Sequence, residues 1–205
     1  MKERPILFSA PMVRAILEGR KTQTRRVVKL PERSSLRGTW EPTTIGGEDG
    51  NNIIHDDQVA IWHTGTGDVI CCPYGIPGDR LWVRETWNRF EAWQGFHYAA
   101  DYEGYGIGPD DDPDHVPDHA VRWKPSIHMP RFASRILLEV VSVRVERLQD
   151  ISRGGAMAEG CPFPNMAHGD DPRDWYRRLW DEINGPESWN ANPWVWVIEF
   201  RRITP

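Results

Sequence analysis

A lysine and a threonine three residues apart form the segment of this chain that is best suited to chemistry. Lys21 and Thr24 lie in the basic stretch Gly19–Arg26. A neutral lysine beside a hydroxyl can serve as the general base for an attacking oxygen. On a continuous strand, residues three apart point to opposite faces, whereas on a turn after a helix they can converge. We therefore predict a turn here, with Gly19 ending the preceding helix.

The arginines around this pair favour a neutral lysine. Arg20, Arg25 and Arg26 place like charges near Lys21, and like charges lower the pKa of a lysine. A surface turn rich in Lys, Arg and Thr, in which Lys21 only binds phosphate and Thr24 only pairs within the turn, is the competing interpretation. The residues by themselves leave both interpretations open.

The elements that must position this segment follow from hydrophobic pattern and breakers. Ile6–Phe8 predicts a strand, and Ser9 predicts the cap of a helix that has Pro11 in its first turn. Further strands are predicted at 59–62, 80–87, 96–99, 136–145 and 194–202, and further helices at 152–159 and 171–184. This mixture predicts an α+β fold with a small closed or half-closed sheet.

Charge is distributed unevenly along the chain. Residues 1–40 carry ten Lys or Arg and three acids, whereas residues 101–119 carry seven acids and no Lys or Arg. The net charge of −5 argues against a general nucleic-acid coat. A locally basic face can nevertheless bind a phosphate-bearing ligand. Residues 31–77 and 88–125, the former rich in Gly, Pro, Asp and Asn, are predicted to be long loop insertions.

Several classes of protein do not fit the composition. Cys71 and Cys72 are adjacent and Cys161 is remote, which makes no disulfide framework and suits a reducing compartment. No CxxC pair accompanies the histidines, so we expect no metal and no other cofactor. No apolar run reaches the roughly 18 residues of a membrane span, and the N-terminus lacks a signal-peptide core. We therefore expect a cytoplasmic protein that does not contact membranes.

Six short blocks resemble the ASCH-domain superfamily, whose fold is PUA-like. They are ILEGRKTQTRR (16–26), GDRLWVRETW (78–87), SIHMPRFASRI (126–136), VERLQDI (145–151), AMAEG (156–160) and NPWVWVIEF (192–200). The blocks appear in family order, and the second and third resemble larger phage-type members. The resemblance implies one domain over residues 1–205, a PUA-like small β-barrel with two or three flanking helices and a cleft.

The resemblance also implies a chemistry. One branch of the superfamily comprises small bacterial N4-acetylcytidine amidohydrolases that use a Lys, a Thr three residues later and a distant Glu. Lys21 and Thr24 match the first two, and Glu159 matches the third. Thr24 would attack the acetyl carbonyl, Lys21 would accept its proton, and Glu159 would protonate the departing amine. Arg26 or backbone N–H groups would stabilise the oxyanion.

Further residues, most of them in the matching blocks, are candidates for holding the substrate. They are Arg20, Arg25, Arg26, Trp82, Arg84, Glu85, Trp87, His128 and Arg131. Trp82 and Trp87 either stack on a base or fill the core. An unpaired carboxylate would be costly at Glu85, so Arg84 or Arg131 is its predicted partner.

Three functions remain open from the sequence. The first is hydrolysis of the amide of an N4-acetylcytidine-type nucleoside. The second is a non-catalytic binding module for RNA or modified bases, which the basic N-terminal segment and the eleven tryptophans support. The third is a ribonuclease. In each, the partner is RNA or a modified nucleoside. The chain is much longer than the small amidohydrolases, which leaves its substrate open.

Overall fold

The computed structural model describes residues 1–31, 37–49, 52–90, 95–104, 107, 115–162 and 171–203. This described part contains ten strands and three α-helices, so the predicted α+β class is confirmed. It includes no helix that is both long enough and apolar enough to span a membrane.

A five-stranded sheet forms the centre of the fold. Its strands, in spatial order, are β1 (Glu3–Leu7), β6 (Arg80–Arg84), β9 (Leu137–Arg147), β10 (Trp194–Ile203) and β2 (Gln23–Val27). β1 runs parallel to β6, and the remaining neighbours are antiparallel. Strands β9 and β10 are rich in valine, isoleucine and aromatic residues, which favour a pleated and half-buried surface.

The five-stranded sheet is open rather than a closed barrel. Within the described residues no ladder joins the two edge strands, β1 and β2. They nevertheless come close, because the Arg26 guanidinium on β2 donates a hydrogen bond to the Leu7 carbonyl on β1. Phe8, directly after β1, belongs to the same core cluster as Val28, directly after β2. The sheet therefore curves until its edges approach each other.

Three α-helices lie between the strands, at the positions that the sequence predicts. They are α1 (Ala10–Leu17), α2 (Arg153–Ala158) and α3 (Pro172–Asn184). Ser152 and Asp171 cap α2 and α3 by accepting hydrogen bonds from backbone N–H groups. The predicted cap at Ser9 is wrong in one respect, because Ser9 occupies the N-cap position of α1 without a side-chain hydrogen bond.

The predicted insertion at 31–77 is not a plain loop. It contains β3 (Trp40–Asp49), β4 (Asn52–His63) and β5 (Val69–Cys71), which pair antiparallel as a second sheet. Only the strand at 59–62 was predicted, and it is confirmed within β4. The remainder was missed because Gly and Pro are depleted in strands, and β3 contains Pro42. Pairing with β4 outweighs that propensity.

The strand predicted at 80–87 is two strands. It is interrupted at Glu85, and β7 (Trp87–Asn88) pairs with β8 (His97–Tyr98) as a two-stranded hairpin. The predicted hairpin partner at 96–99 is thereby confirmed, inside the segment that was predicted as the insertion 88–125.

Two apolar clusters hold the helices on the central sheet. The larger one joins α1 to β1, β6, β9 and β10 and includes the fully buried Trp196. The second joins α3 to β10, with Tyr176, Trp180 and Trp189 packed against Val195 and Val197. Several tryptophans are therefore core residues, and they fix α3 close to the end of α2.

Candidate functional site

Lys21 and Glu159 meet where two helices end. α1 ends at Leu17, and α2 ends with Glu159 as its C-cap. Lys21 and Glu159 then pair as an isolated antiparallel bridge. Gly160 permits this approach, because a side-chain Cβ built there would lie 3.2 Å from the Lys21 Cβ, at a backbone φ of +100°.

The Lys21 ammonium is buried and fully hydrogen-bonded. Its Nζ donates to the Gln23 carbonyl at 2.8 Å, to the Glu159 carbonyl at 2.9 Å and to Glu159 Oε2 at 2.6 Å. An ammonium has three N–H donors, so these contacts use all of them. In the described residues, no hydrogen bond joins Lys21 Nζ to Thr24. The predicted turn does not extend to Thr24, which lies within the strand β2, and Lys21 binds Glu159 instead.

The pKa of Lys21 lies below its ordinary value, as the sequence predicts, but for a different main reason. Burial is the largest cause, because it penalises the charged form. Glu159 opposes the shift, and Arg26 and Arg25 add to it. Arg20, which we expected to contribute, instead directs its guanidinium to Glu18 and to the Gly160 carbonyl.

Arg25 holds the far side of the Glu159 carboxylate. Its Nη1 lies 3.1 Å from Glu159 Oε1 and also donates to Gln23 Oε1 at 2.8 Å. Its Nε and Nη2 both donate to Glu146 Oε1, at 2.9 and 2.7 Å. Glu159 therefore has a buried cation at each oxygen, and Arg25 is bound to protein groups.

Thr24 lies beside this pair at the wall of a small cavity. It is buried in β2, opposite Ile198 of β10. The cavity has a volume of about 60 Å³, and its polar wall includes Thr24, Glu159, Arg26 and Tyr176. Residues that carry a hydroxyl, a carboxyl and a cation thus line one small, partly open space, which is the set that acyl transfer requires.

Tyr176 on α3 is a site residue that the sequence interpretation missed. It is buried, lines the same cavity, and has a pKa held well above its ordinary value. Burial is the main cause, and the charge of Glu159 adds to it. The signal available in the sequence was its helical spacing with Trp180, four residues later, which placed it on the packed face of α3.

A second and larger depression adjoins the cavity. It is a groove of about 480 Å³ between α1 and α3. Its wall includes Glu159, Met12, Leu179 and Ile183, which also line the small cavity, together with Trp175 and Arg20. Of the predicted residues, Thr24, Arg25, Arg26 and Glu159 line the cavity, and Arg20 and Glu159 line the groove. Lys21 lines neither space and is joined to them through Glu159.

The remaining predicted residues lie in a separate cluster on β6 and the 3₁₀ turns after it. The guanidinium carbons of Arg84 and Arg131 lie 5.4 and 6.0 Å from the ring centre of Trp82. Arg131 Nε donates to Glu3 at 2.9 Å, and Arg84 Nε donates to the Met129 carbonyl at 3.1 Å. Trp82 therefore packs against arginines of its own chain.

Glu85 and Trp87 are buried within that region. The predicted partner of Glu85 is wrong, because neither Arg84 nor Arg131 binds it. Arg135 does, with Nε to Oε1 at 2.9 Å and Nη2 to Oε2 at 3.0 Å. Burial is the main reason that the pKa of Glu85 lies above its ordinary value, and Arg135 opposes that shift.

Two aromatic residues of this cluster differ in exposure. Trp87 packs against Phe96 at 5.7 Å between ring centres, with Lys124 Nζ 5.1 Å from its ring, so it belongs to a small apolar cluster. His128 lies exposed at the end of a short 3₁₀ turn, Ser126–His128.

Within the described ranges, no three His, Cys, Asp or Glu side chains are grouped so that they could hold a metal ion. His63 has a structural setting: its Nδ1 accepts a hydrogen bond from the Thr66 N–H at 3.2 Å, and its ring packs edge-on against Trp40.

Comparison of the chain with protein-family models, with curated proteins and with solved structures found no match. The geometry of the site is therefore the basis of the functional argument.

Proposed function

We propose that this chain is an ASCH-type amidohydrolase of PUA-like fold that hydrolyses the amide of N4-acetylcytidine-type nucleosides. The observation that carries the proposal is the buried Lys21–Glu159 pair, because Glu159 lines the same small cavity as Thr24. The approach of the edge strands β1 and β2 through Arg26 supports the half-closed barrel that such a fold requires.

The Lys21–Glu159 pair offers a route to the two protonation states that the reaction needs. Transfer of one proton from Lys21 Nζ to Glu159 Oε2, over 2.6 Å, gives a neutral amine and a protonated carboxyl group. Burial favours this neutral form, because two charges lose their solvation in the interior. Arg25 opposes it by stabilising the carboxylate. The same proton shift therefore prepares the base and the acid together.

Acyl transfer then proceeds through Thr24. Neutral Lys21 rotates toward Thr24 and accepts its proton as Oγ attacks the acetyl carbonyl. Collapse of the tetrahedral intermediate breaks the C–N bond, and Glu159 protonates the departing exocyclic nitrogen, which leaves as cytidine. Water then gives one proton to the Glu159 carboxylate and attacks the Thr24 ester. Lys21 returns its proton to the threonine oxygen, so acetic acid leaves and the threonine hydroxyl is restored.

Arg26 is suited to the negative charge that develops on the carbonyl oxygen. It lines the cavity, and its Nε is buried without a hydrogen-bond partner among the residues that the structure describes. A buried donor that lacks a partner costs free energy, and an oxyanion would satisfy it. Tyr176, whose pKa is raised, stays protonated and supplies a second O–H group at the same wall.

The two alternatives receive less support. A binding module would use the Trp82 cluster, where Ile127 and Phe132 are exposed beside Arg131. However, the half-buried Arg84 and the exposed Arg131 already pack on Trp82. A ribonuclease would benefit from a histidine, and none is among the described residues that line the cavity or the groove.

The proposal is tested by incubating the protein with N4-acetylcytidine and following cytidine release by chromatography. We expect turnover that Lys21→Ala lowers by about 10² to 10⁴, which is the usual contribution of acid–base catalysis. Lys29→Ala, which removes an exposed lysine, serves as the control and should retain activity. Circular dichroism would establish that both variants fold. Absence of cytidine release, combined with salt-dependent RNA binding, would replace the proposal with the binding-module alternative.

The pH dependence of turnover reports the state of Lys21. Because burial lowers the pKa of Lys21 below 10.5, the neutral base forms at a lower pH than for an exposed lysine. Above that lowered pKa the Lys21–Glu159 pair has lost its shared proton, so Glu159 has none to give to the departing amine. We therefore expect kcat/KM to fall as pH rises through a value below 10.5. A kcat/KM that stays constant to pH 10.5 and above would contradict the assignment of the shared proton to this pair.

A further inference from the structure

The small cavity and the groove differ in what they can hold. An apolar protein cavity of roughly 150 Å³ binds benzene. The cavity beside Thr24 has about 60 Å³, less than half of that volume. A six-membered ring therefore does not fit beside Thr24, whereas the few heavy atoms of an acetyl group do.

The groove has room for the remainder of a nucleoside. Its volume of about 480 Å³ lies within the range of roughly 300–1,000 Å³ that is typical of small-molecule sites. Glu159 lies at the border of both spaces, which is where the C–N bond must be broken. An amide held across that border would have its acyl group in the cavity and its amine in the groove.

The walls of the groove suit a flat aromatic amine. Trp175, Leu179 and Met12 offer apolar surface, and the half-buried Trp175 is the aromatic side chain among them. Arg20 lies at the same wall, with its guanidinium partly exposed. Nucleic-acid bases stack on aromatic side chains in many proteins, and a guanidinium can reach the polar edge of a base or sugar.

We propose that α3 makes this site selective for short acyl groups, with Leu179 as the specificity-determining residue and Trp175 as the platform for the cytosine ring. This inference rests on the proposed amidohydrolase function. Leu179 lines both spaces, so its side chain narrows the passage by which the acyl group enters the cavity, and it packs beside the base. Longer acyl groups than acetyl then meet Leu179 and Trp180.

The test compares N4-acetylcytidine, N4-butyrylcytidine and N4-benzoylcytidine as substrates. Since one methylene in a pocket changes kcat/KM by about 10- to 200-fold, we expect at least a tenfold preference for acetyl over each larger group. Leu179→Ala should open the cavity and raise the butyryl-to-acetyl ratio by about tenfold or more. Leu179→Val provides a milder change if the alanine variant is less stable.

The control is Arg178→Ala, which alters an exposed neighbour of Leu179 on α3 and should change neither activity nor the ratio. Trp175→Ala should raise KM for N4-acetylcytidine more than it lowers kcat, and Trp175→Phe should restore KM. Equal kcat/KM for acetyl and benzoyl substrates, or a ratio unaffected by Leu179→Ala, would overturn the inference while the amidohydrolase function stands. Hydrolysis of none of the three would overturn both.

Discussion

The network around Glu159 and the cluster around Trp82 contain the same kinds of residue but differ in burial. The Lys21 and Glu159 side chains are 0% and 2% exposed, whereas those of Arg131 and Glu3 are 44% and 37% exposed. Water screens the charges of Arg131 and Glu3, whereas the buried charges of Lys21 and Glu159 interact with little screening. The presence of basic and aromatic residues therefore does not by itself identify a site. Burial of the charged groups next to a cavity is the feature that does.

The comparison also separates two buried carboxylates. Glu159 lies between Lys21 and Arg25, next to a cavity that can admit a reacting group. Glu85 is equally buried, but within the described residues its ionic partner is Arg135 alone, and it lies between β6 and β7. Burial with a partner is thus compatible with a structural role, and the cavity distinguishes the catalytic candidate.

Removing the carboxylate of the buried network should have the largest effect on stability. Glu159→Leu leaves Lys21 without its ionic partner in the interior, so we expect a loss of about 3–5 kcal/mol in the free energy of unfolding. Urea denaturation measures this loss. Glu18→Leu, which removes the exposed partner of Arg20, is the control and should cost less than about 1 kcal/mol. Equal losses in both variants would contradict the conclusion that the buried ion pair contributes more to stability than the exposed one.

Removing Arg135 should have a smaller and pH-dependent effect. Glu85 would remain buried without its ionic partner, at a cost of about 1–3 kcal/mol. Burial already raises the pKa of Glu85 above 4.5, and Arg135→Ala raises it further. The folded state then binds more protons than the unfolded state, so the loss should grow as pH rises above 4.5.

Denaturation of the Arg135→Ala variant at pH 4.5 and pH 8 checks this pH dependence. Asp101→Asn, which removes the exposed partner of Arg135, should change stability by less than about 1 kcal/mol. A loss that does not depend on pH would mean that Glu85 is not the group that titrates.

Removing the surface pair should have the smallest effect. Arg131→Ala breaks an exposed ion pair with Glu3, so we expect a change within about 1 kcal/mol. The same variant should hydrolyse N4-acetylcytidine at the rate of the unaltered protein. A loss of activity would mean that the Trp82 cluster takes part in hydrolysis, which would contradict the functional difference between the two regions.

The sequence predicted the elements whose patterns are local. The three helices and the strands β1, β9 and β10 follow from apolar periodicity, from Pro at helix starts and from Gly at helix ends. The second sheet was missed because β3 contains residues that disfavour strands, and its pairing with β4 is tertiary.

The site was predictable only in part for the same reason. Lys21 and Thr24 are three residues apart and could be singled out together, whereas Glu159 entered through a resemblance. Tyr176 and the partner of Glu85 depend on contacts between distant segments, Arg135 being 50 residues from Glu85. A pattern along the chain does not report which carboxylate a distant arginine reaches.

Removing the hydroxyl of Thr24 tests the proposed mechanism most directly. Thr24→Val removes the hydroxyl and keeps the shape of this buried side chain, and Thr22→Val makes the same change at an exposed threonine two residues earlier. We predict that cytidine release from N4-acetylcytidine is abolished in Thr24→Val and retained in Thr22→Val, with both proteins folded. Full turnover in folded Thr24→Val would contradict the proposed mechanism.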